Sequence, residues 1–321
     1  MSYSEIPVHE LRQHKYTFYL QNGLGDRLLD IMGVLTYCKL TNIEVAVHWE
    51  QHVPVANNEW VYSSSLFKFP FDITNEYNRF MIYSKPSVSC SPYLLHERIK
   101  QTHPDITLSR VIETLKEFAS KIEPSEIVSK YISGDLCNAW GIHLRSTDKI
   151  TDNKNVEHYS NSQEEFNIIM SKLINDISNT IMIGITDTFF ICSENLEWKY
   201  IVTQKMIETA NELKKQIRII DYKLDPEDER NYPGIKAVTD MFCLSRCKAV
   251  LQGTKYSTFS ILASLIGDNE LRNYHCDKTD NTLIHLWRPC LTLNTNKWDG
   301  DEALQIKMSK GFDMITPLFI E

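Results

Sequence analysis

YTFYLQNGLGDRLLDIMGVLTYCKLTNIEVAVHW, residues 16 to 49, reads as strand, glycine turn, helix and strand. Tyr16 to Gln21 is aromatic and β-prone, and Asn22 to Gly25 makes a turn. Asp26 to Leu40 sets Leu28, Leu29, Ile31, Met32, Leu35 and Tyr37 at helical spacing, and Glu44 to Trp49 returns as a second strand. Two strands joined through a helix run parallel, because a two-residue hairpin cannot bring the chain back to the same end. The stretch therefore predicts a parallel sheet covered by helices.

Outward from this unit, residues 51 to 103 are rich in Ser, Pro, Asn and aromatics and read as loops, with short strands at Phe80 to Tyr83 and Tyr93 to Leu95. A helical pattern then runs through Leu108, Val111, Ile112, Leu115 and Phe118, and Pro124 favours a fresh start. From Ala139 the alternation resumes: strand 139 to 145, helix 162 to 177, strand Thr188 to Ser193, helix 197 to 214 and strand Ile217 to Tyr222. An acidic loop at 223 to 232, helix 234 to 246, strand Ala249 to Gln252 and helix Thr258 to Ile266 complete it. The expected architecture is α/β with two Rossmann-like domains, 1 to 123 and 124 to 321, and a ligand cleft facing the C-terminal strand ends. Beyond Leu283 only a helix at Asp301 to Lys310 is expected.

The length of 321 residues suits two cores better than one. A formal charge of -8, with no run of lysines and arginines, argues against nucleic acid or an acidic membrane as partner. No stretch reads as a signal peptide or a membrane span, so a soluble, cytoplasmic protein is expected. The eight cysteines are scattered without a C-x-x-C, and Cys243 and Cys247 lack a histidine pair nearby. Reduced core thiols and no metal site are the expectation.

Several segments carry chemistry. Ala139 to Ile150 (AWGIHLRSTDKI) ends a strand on which His143 and Arg145 share one face while Ile142 and Leu144 take the other. Asn22-Gly23-Leu24-Gly25-Asp26 lies between strand and helix, where backbone amides can approach an anion. It lacks both the third glycine of a dinucleotide fingerprint and the lysine of a P-loop, and a plain turn is the structural alternative. Asp240 stands on an otherwise apolar helix and must find donors, from a bound purine edge or from a salt bridge, unless that face of the helix is exposed. Ser257-Thr258-Phe259 opens another helix after a strand, as an anion site or with Ser257 as a simple cap. Ser193-Glu194-Asn195 closes a strand, so that Glu194 either faces the cleft or starts the next helix.

Three of these blocks, Gly23-Leu24-Gly25-Asp26-Arg27, His143-Leu144-Arg145-Ser146-Thr147-Asp148-Lys149 and Asp240 through Phe259, resemble the GT-B fucosyltransferase superfamily of α-1,6-fucosyltransferases, nodulation fucosyltransferases and protein O-fucosyltransferases. Pro124-Ser125 and Ser193-Glu194-Asn195 are weaker echoes. The resemblance implies a GT-B fold and a metal-independent, inverting transfer of fucose from GDP-fucose to a glycan hydroxyl, with no cofactor. By position it implies that His143 and Asp240 contact guanine, that Arg145 binds the β-phosphate, and that Ser257, Thr258 and Phe259 wrap the diphosphate and nucleoside. Asn22, Gly23, Gly25 and Asp26 would complete the phosphate cradle, and Glu194, if it faces the cleft, would join the donor-binding residues.

Two departures from the family pattern follow. The α-1,6 and nodulation enzymes carry two consecutive arginines, whereas Arg145 is followed by Ser146 here. The acidic residue that follows the Asp-Lys pair in those relatives falls near Asn153, which leaves the general base open between Asp152 and Glu157, with Lys149 tuning it. A different nucleotide-sugar donor on the same fold, or a non-catalytic nucleotide- or glycan-binding protein, are the competing readings.

Overall fold

The structure, a computed structural model, describes residues 16–20, 23–42, 45–49, 52–55, 58–74, 80–83, 92–145, 163–253, 257–273 and 316–319. The chain divides into two compact units. One holds Met1–Ser125, Arg230–Gly234 and Asn294–Glu321, and the other holds Glu126–Glu229 and Ile235–Leu293.

In the first unit, β1 (Tyr16–Leu20) leads through α1 (Leu24–Thr41) into β2 (Val45–Trp49). A hairpin of β3 (His52–Val55) and β4 (Asn58–Val61) follows, then short strands β5 (Phe67–Lys68) and β6 (Ile73–Thr74), then β7 (Phe80–Tyr83). Helices α2 (Pro92–Lys100) and α3 (Leu108–Ser120) come next, and β8 (Glu123–Pro124) pairs back onto β5. The second unit runs α4 (Glu126–Ser129), β9 (Trp140–Leu144), α5 (Gln163–Ile183), β10 (Thr188–Ser193), α6 (Leu196–Glu212) and β11 (Arg218–Ile220). α7 (Pro226–Asn231) begins in this unit and ends within Arg230–Gly234 of the first, and α8 (Ile235–Arg246), β12 (Ala249–Gln252), α9 (Thr258–Gly267) and β13 (Glu270–Asn273) complete the second. The last described strand is β14 (Thr316–Phe319).

The first sheet has the order β14-β7-β1-β2-β6, with β1 parallel to both β2 and β7 and only β14 antiparallel. The expected parallel unit at residues 16 to 49 is thus present. α1 starts two residues earlier than the pattern suggested, with Gly23 at its N-cap, and buries Leu28, Ile31 and Met32. It ends where Asn42 takes the left-handed conformation (φ 57°) and its N–H bonds the Cys38 carbonyl, a common way to stop a helix.

The second sheet has the order β11-β10-β9-β12-β13, all parallel. In chain order that is 3-2-1-4-5, the doubly wound arrangement, and the direction of winding reverses between β9 and β12. Alternation along the strands sorts the two faces. Trp140, Ile142, Leu144, Phe189, Ile191 and Leu251 pack on α5 and α6 through Leu173, Ile177, Val202 and Met206. On the other face Gly141 lies so close to α8 that a Cβ would stand 2.7 Å from Leu244 and 3.1 Å from Cys247. Only glycine lets α8 approach this strand.

Several sequence expectations are corrected. Tyr93 to Leu95 is not a strand but part of α2, whose Leu95 and Ile99, one turn apart, are buried. α5 continues past residue 177 to Ile183, where Gly184 at φ 74° closes it with bonds from the Gly184 and Ile185 amides to the Ile181 and Thr180 carbonyls. The acidic stretch 223 to 232 contains α7, which buries none of its residues and so gives no apolar period. β13 follows where no strand was expected. β14 pairs with β7 in the first sheet and falls in the unit that holds Met1–Ser125. The helix expected at Asp301 to Lys310 lies outside the described residues. No described helix is long and apolar enough to cross a membrane.

Candidate functional site

The winding reversal between β9 and β12 is where an open α/β sheet leaves room for a ligand beyond its C-terminal strand ends. His143 is the penultimate residue of β9, in register with Gln252 on β12 and Cys192 on β10. The Gly253 amide bonds the His143 carbonyl at 2.9 Å, which holds the two strand ends together. A Cβ at Gly253 would fall 2.6 Å from Leu144 and 3.3 Å from that carbonyl, so the close approach requires glycine.

The imidazole is buried. Its Nδ1 lies 2.7 Å from the Ser260 hydroxyl and 3.4 Å from that of Ser257, and its ring centroid is 4.9 Å from that of Phe259. Burial, followed by the nearby positive charge of Arg145, pushes its pKa down to about 3. His143 is therefore a neutral hydrogen-bonding group near pH 7. Nε2 has no hydrogen-bond partner among the described residues.

Ser257 is the N-cap of α9 by position, yet its side chain makes no capping bond and turns to His143 instead. Simple capping, the structural alternative for this serine, is thus not what it does. Helix N-termini favour anions through their free amides and dipole. Thr258 and Phe259, both half-buried, form the first turn. Arg145, also half-buried, follows β9 directly.

Asp240 reaches the same sheet edge on α8. A helix joining parallel strands runs back against them, so α8 begins at the C-terminal strand ends. In agreement, Gly141 near the start of β9 meets Leu244 late in α8 and Cys247 just after it. Cys192, near the end of β10, has its thiol pKa raised by burial and then by the Asp240 charge. Asp240 accepts from Tyr222 Oη at 2.7 Å and from Lys236 Nζ at 2.9 Å. The salt bridge, one of the two sources of donors weighed for this carboxylate, is present. Burial raises its pKa while Lys236 and Tyr222 oppose the rise.

The remaining expected residues sit as follows. Glu194 is exposed, and its neighbours serve the helix: Asn195 Oδ1 accepts from the Glu197 and Trp198 amides, capping α6. Gly23, Gly25 and Asp26 open α1 in the first unit, after β1, which borders that sheet's own winding reversal beside β7. Next to them Arg27, wholly buried, lies over the rings of Trp49 at 4.8 Å and Tyr62 at 5.8 Å. Asn22, Lys149, Asp152 and Glu157 lie outside the described residues. Among those described, no group of three or more His, Cys, Asp or Glu could hold a metal ion. The sequence does contain one D-x-D, the pattern metal-dependent sugar transferases display, at Asp299-Gly300-Asp301, also outside the described residues.

Sequence reasoning missed Ser260 and Tyr222. Ser260 stands three residues after Ser257, on the same helix face, which is the one signal that linked them. Tyr222 read as the end of a strand, but β11 stops at Ile220 and frees the phenol to reach α8.

No family model matches the chain, and no curated protein matches it significantly. The solved structures it is similar to include fucosyltransferases. NodZ α-1,6-fucosyltransferase soaked with GDP-fucose is 14% identical, with a TM-score of 0.42 over 78% of this chain and 92% of that one. A mutant of Arabidopsis thaliana FUT1 in complex with GDP is 15% identical, with a TM-score of 0.42 over 82% and 72%. POFUT1 in complex with GDP is 10% identical, with a TM-score of 0.44 over 80% and 95%.

Proposed function

We propose that this protein is a glycosyltransferase that moves a fucosyl group from GDP-fucose to a glycan hydroxyl, with inversion and without a metal ion. The observation that carries the reading is the grouping of a neutral, buried His143 with Arg145 and the start of α9 at the winding reversal of the second sheet. A nucleoside diphosphate needs a polar partner for its nucleoside and fixed positive potential for its phosphates, and this edge offers both. The sequence resemblance narrows the donor to a GDP-sugar.

In the reaction, the acceptor oxygen forms its bond to the anomeric carbon from the face opposite the diphosphate. The bond from that carbon to the β-phosphate oxygen breaks, and its electron pair leaves with GDP. The acceptor proton passes to a carboxylate, assigned to Asp152 or Glu157, with Lys149 tuning it. Charge builds on the leaving phosphate as the bond breaks. Arg145 and the α9 amides are there before the reaction and need no reorganisation to meet it. Lys149, Asp152 and Glu157 come to this scheme from sequence alone. The glycan acceptor and a cytoplasmic setting are part of the same proposal.

The test is release of GDP from GDP-fucose, with water as acceptor, in EDTA and then with added Mn²⁺. Turnover in EDTA that Arg145→Ala lowers on the order of 10²-fold or more supports the scheme. Wild-type turnover by that variant would sink the role of Arg145, and activity that appears only with Mn²⁺ would overturn the metal-free mechanism.

A further inference from the structure

Asp240 is a buried carboxylate whose surroundings are asymmetric. Its side chain is 11% exposed while that of Lys236, one helical turn before it, is 53% exposed, so the ion pair straddles the surface. Tyr222 holds the other oxygen from beyond β11 and is itself fixed by ring contacts with Phe190 and Tyr131 at 6.3 and 6.2 Å. The Tyr131 hydroxyl in turn accepts from the Asp225 amide and donates to Asp228, which Lys130 also pairs. The segment that carries Tyr222 is thereby tied to the residues that follow α4 and to α7 rather than left as a free loop.

An ionised carboxylate offers about four acceptor positions, two on each oxygen. Among the described residues, Tyr222 and Lys236 take one position on each oxygen of Asp240. One acceptor position on each oxygen remains. That is the arrangement a pair of adjacent N–H donors on a purine edge requires.

We propose that Tyr222 and Lys236 are positioning residues that orient Asp240 as a two-pronged acceptor for the base of the bound nucleotide, an inference that rests on the nucleotide-site reading above. Neither need touch the nucleotide. Tyr222 sets the carboxylate plane, and Lys236 supplies the positive charge that keeps it ionised against burial. The other titratable or charged groups facing Asp240 are Cys243 on its own helix, Cys192 on β10 and Lys199 on α6. Lys199 is already paired with Asp221 at 3.2 Å, so Lys236 is the ammonium in direct contact.

The test is calorimetric binding of GDP between pH 4.5 and pH 9 by wild type, Tyr222→Phe, Lys236→Met and Lys236→Arg. Loss of a hydrogen bond to a charged group predicts about tenfold weaker binding near pH 7 for Tyr222→Phe and Lys236→Met. Removing either donor lets burial raise the Asp240 pKa further, and the protonated carboxyl loses acceptor capacity. The acid limb of the affinity profile therefore moves to higher pH in both variants, and Lys236→Arg restores it. Lys236 is half in solvent, so its replacement leaves the core intact. Wild type that binds GDP while both variants keep its affinity and acid limb would overturn this proposal alone. Wild type that binds no GDP would overturn the nucleotide-site reading, and this inference with it.

Discussion

His143 Nδ1 lies 2.7 Å from the Ser260 hydroxyl, a buried bond that ties the end of β9 to the first turns of α9 across 117 residues of sequence. It joins the two strands on either side of the winding reversal, since α9 follows β12. Ser260→Ala leaves Nδ1 with only the longer Ser257 contact at 3.4 Å. An unsatisfied buried nitrogen costs about 1–3 kcal/mol, so the thermal midpoint should fall and GDP binding should weaken. A variant with unchanged midpoint and affinity would show that this bond positions nothing.

The depressed pKa of His143 makes a statement about stability. Unfolded, the imidazole protonates near 6.5, whereas in the fold its pKa is about 3. Between those values the unfolded chain binds more protons, so its contribution to stability is fully present above 6.5 and is lost as the pH falls toward 3. His143→Gln should flatten that part of the stability profile, as read from urea unfolding at pH 7, 5.5 and 4.5. Parallel profiles for the two proteins would contradict the burial argument.

Gly253 holds the opposite side of the reversal. A methyl group there meets Leu144 at 2.6 Å, Leu173 at 3.2 Å and the His143 carbonyl at 3.3 Å. Overpacking of this kind costs about 1–3 kcal/mol, and the strain falls on the strand end that carries His143. Gly253→Ala is expected to lower both the melting temperature and GDP affinity, where a mutation in the outer core would lower only the first. Full retention of affinity would separate Gly253 from the site.

In the first unit, Arg27 over Trp49 and Tyr62 is a buried cation on aromatic faces, and Trp49 donates in turn to the Tyr62 carbonyl at 2.7 Å. A desolvated cation–π contact contributes about 2 kcal/mol, and truncating the side chain adds a cavity. Arg27→Ala should therefore lower the thermal midpoint of this unit and change tryptophan fluorescence as Trp49 loses its cover. An unaltered spectrum and midpoint would show that the stack is incidental.

The parts of the fold legible in the sequence are those whose burial is complete and whose ends are marked. Thr188–Ser193 and Ala249–Gln252 are unbroken buried strands bounded by charged residues or glycine, and both expectations match the structure residue for residue. What escaped depends on partners remote in sequence or on weak local signals. The aromatic character of Tyr93 to Leu95 suggests a strand, and only Pro92 at the first helical position with Leu95 and Ile99 at helical spacing points the other way. Glu270–Asn273 is too polar for a strand pattern, and β14 declares its sheet only through pairing with β7. At the site, His143 was legible because a histidine ending an apolar strand is conspicuous. Ser260 and Tyr222 were not, because a serine inside a helix and a tyrosine past a strand look ordinary until the fold brings them to His143 and Asp240.

The most direct test of the central claim is calorimetry of the wild-type protein with GDP, UDP, ADP, dTDP and NAD in turn, without acceptor and without metal, repeated with Arg145→Ala and Asp240→Ala. The account predicts selective binding of GDP that both substitutions weaken. Preference for another nucleotide, or no binding of any, would contradict it.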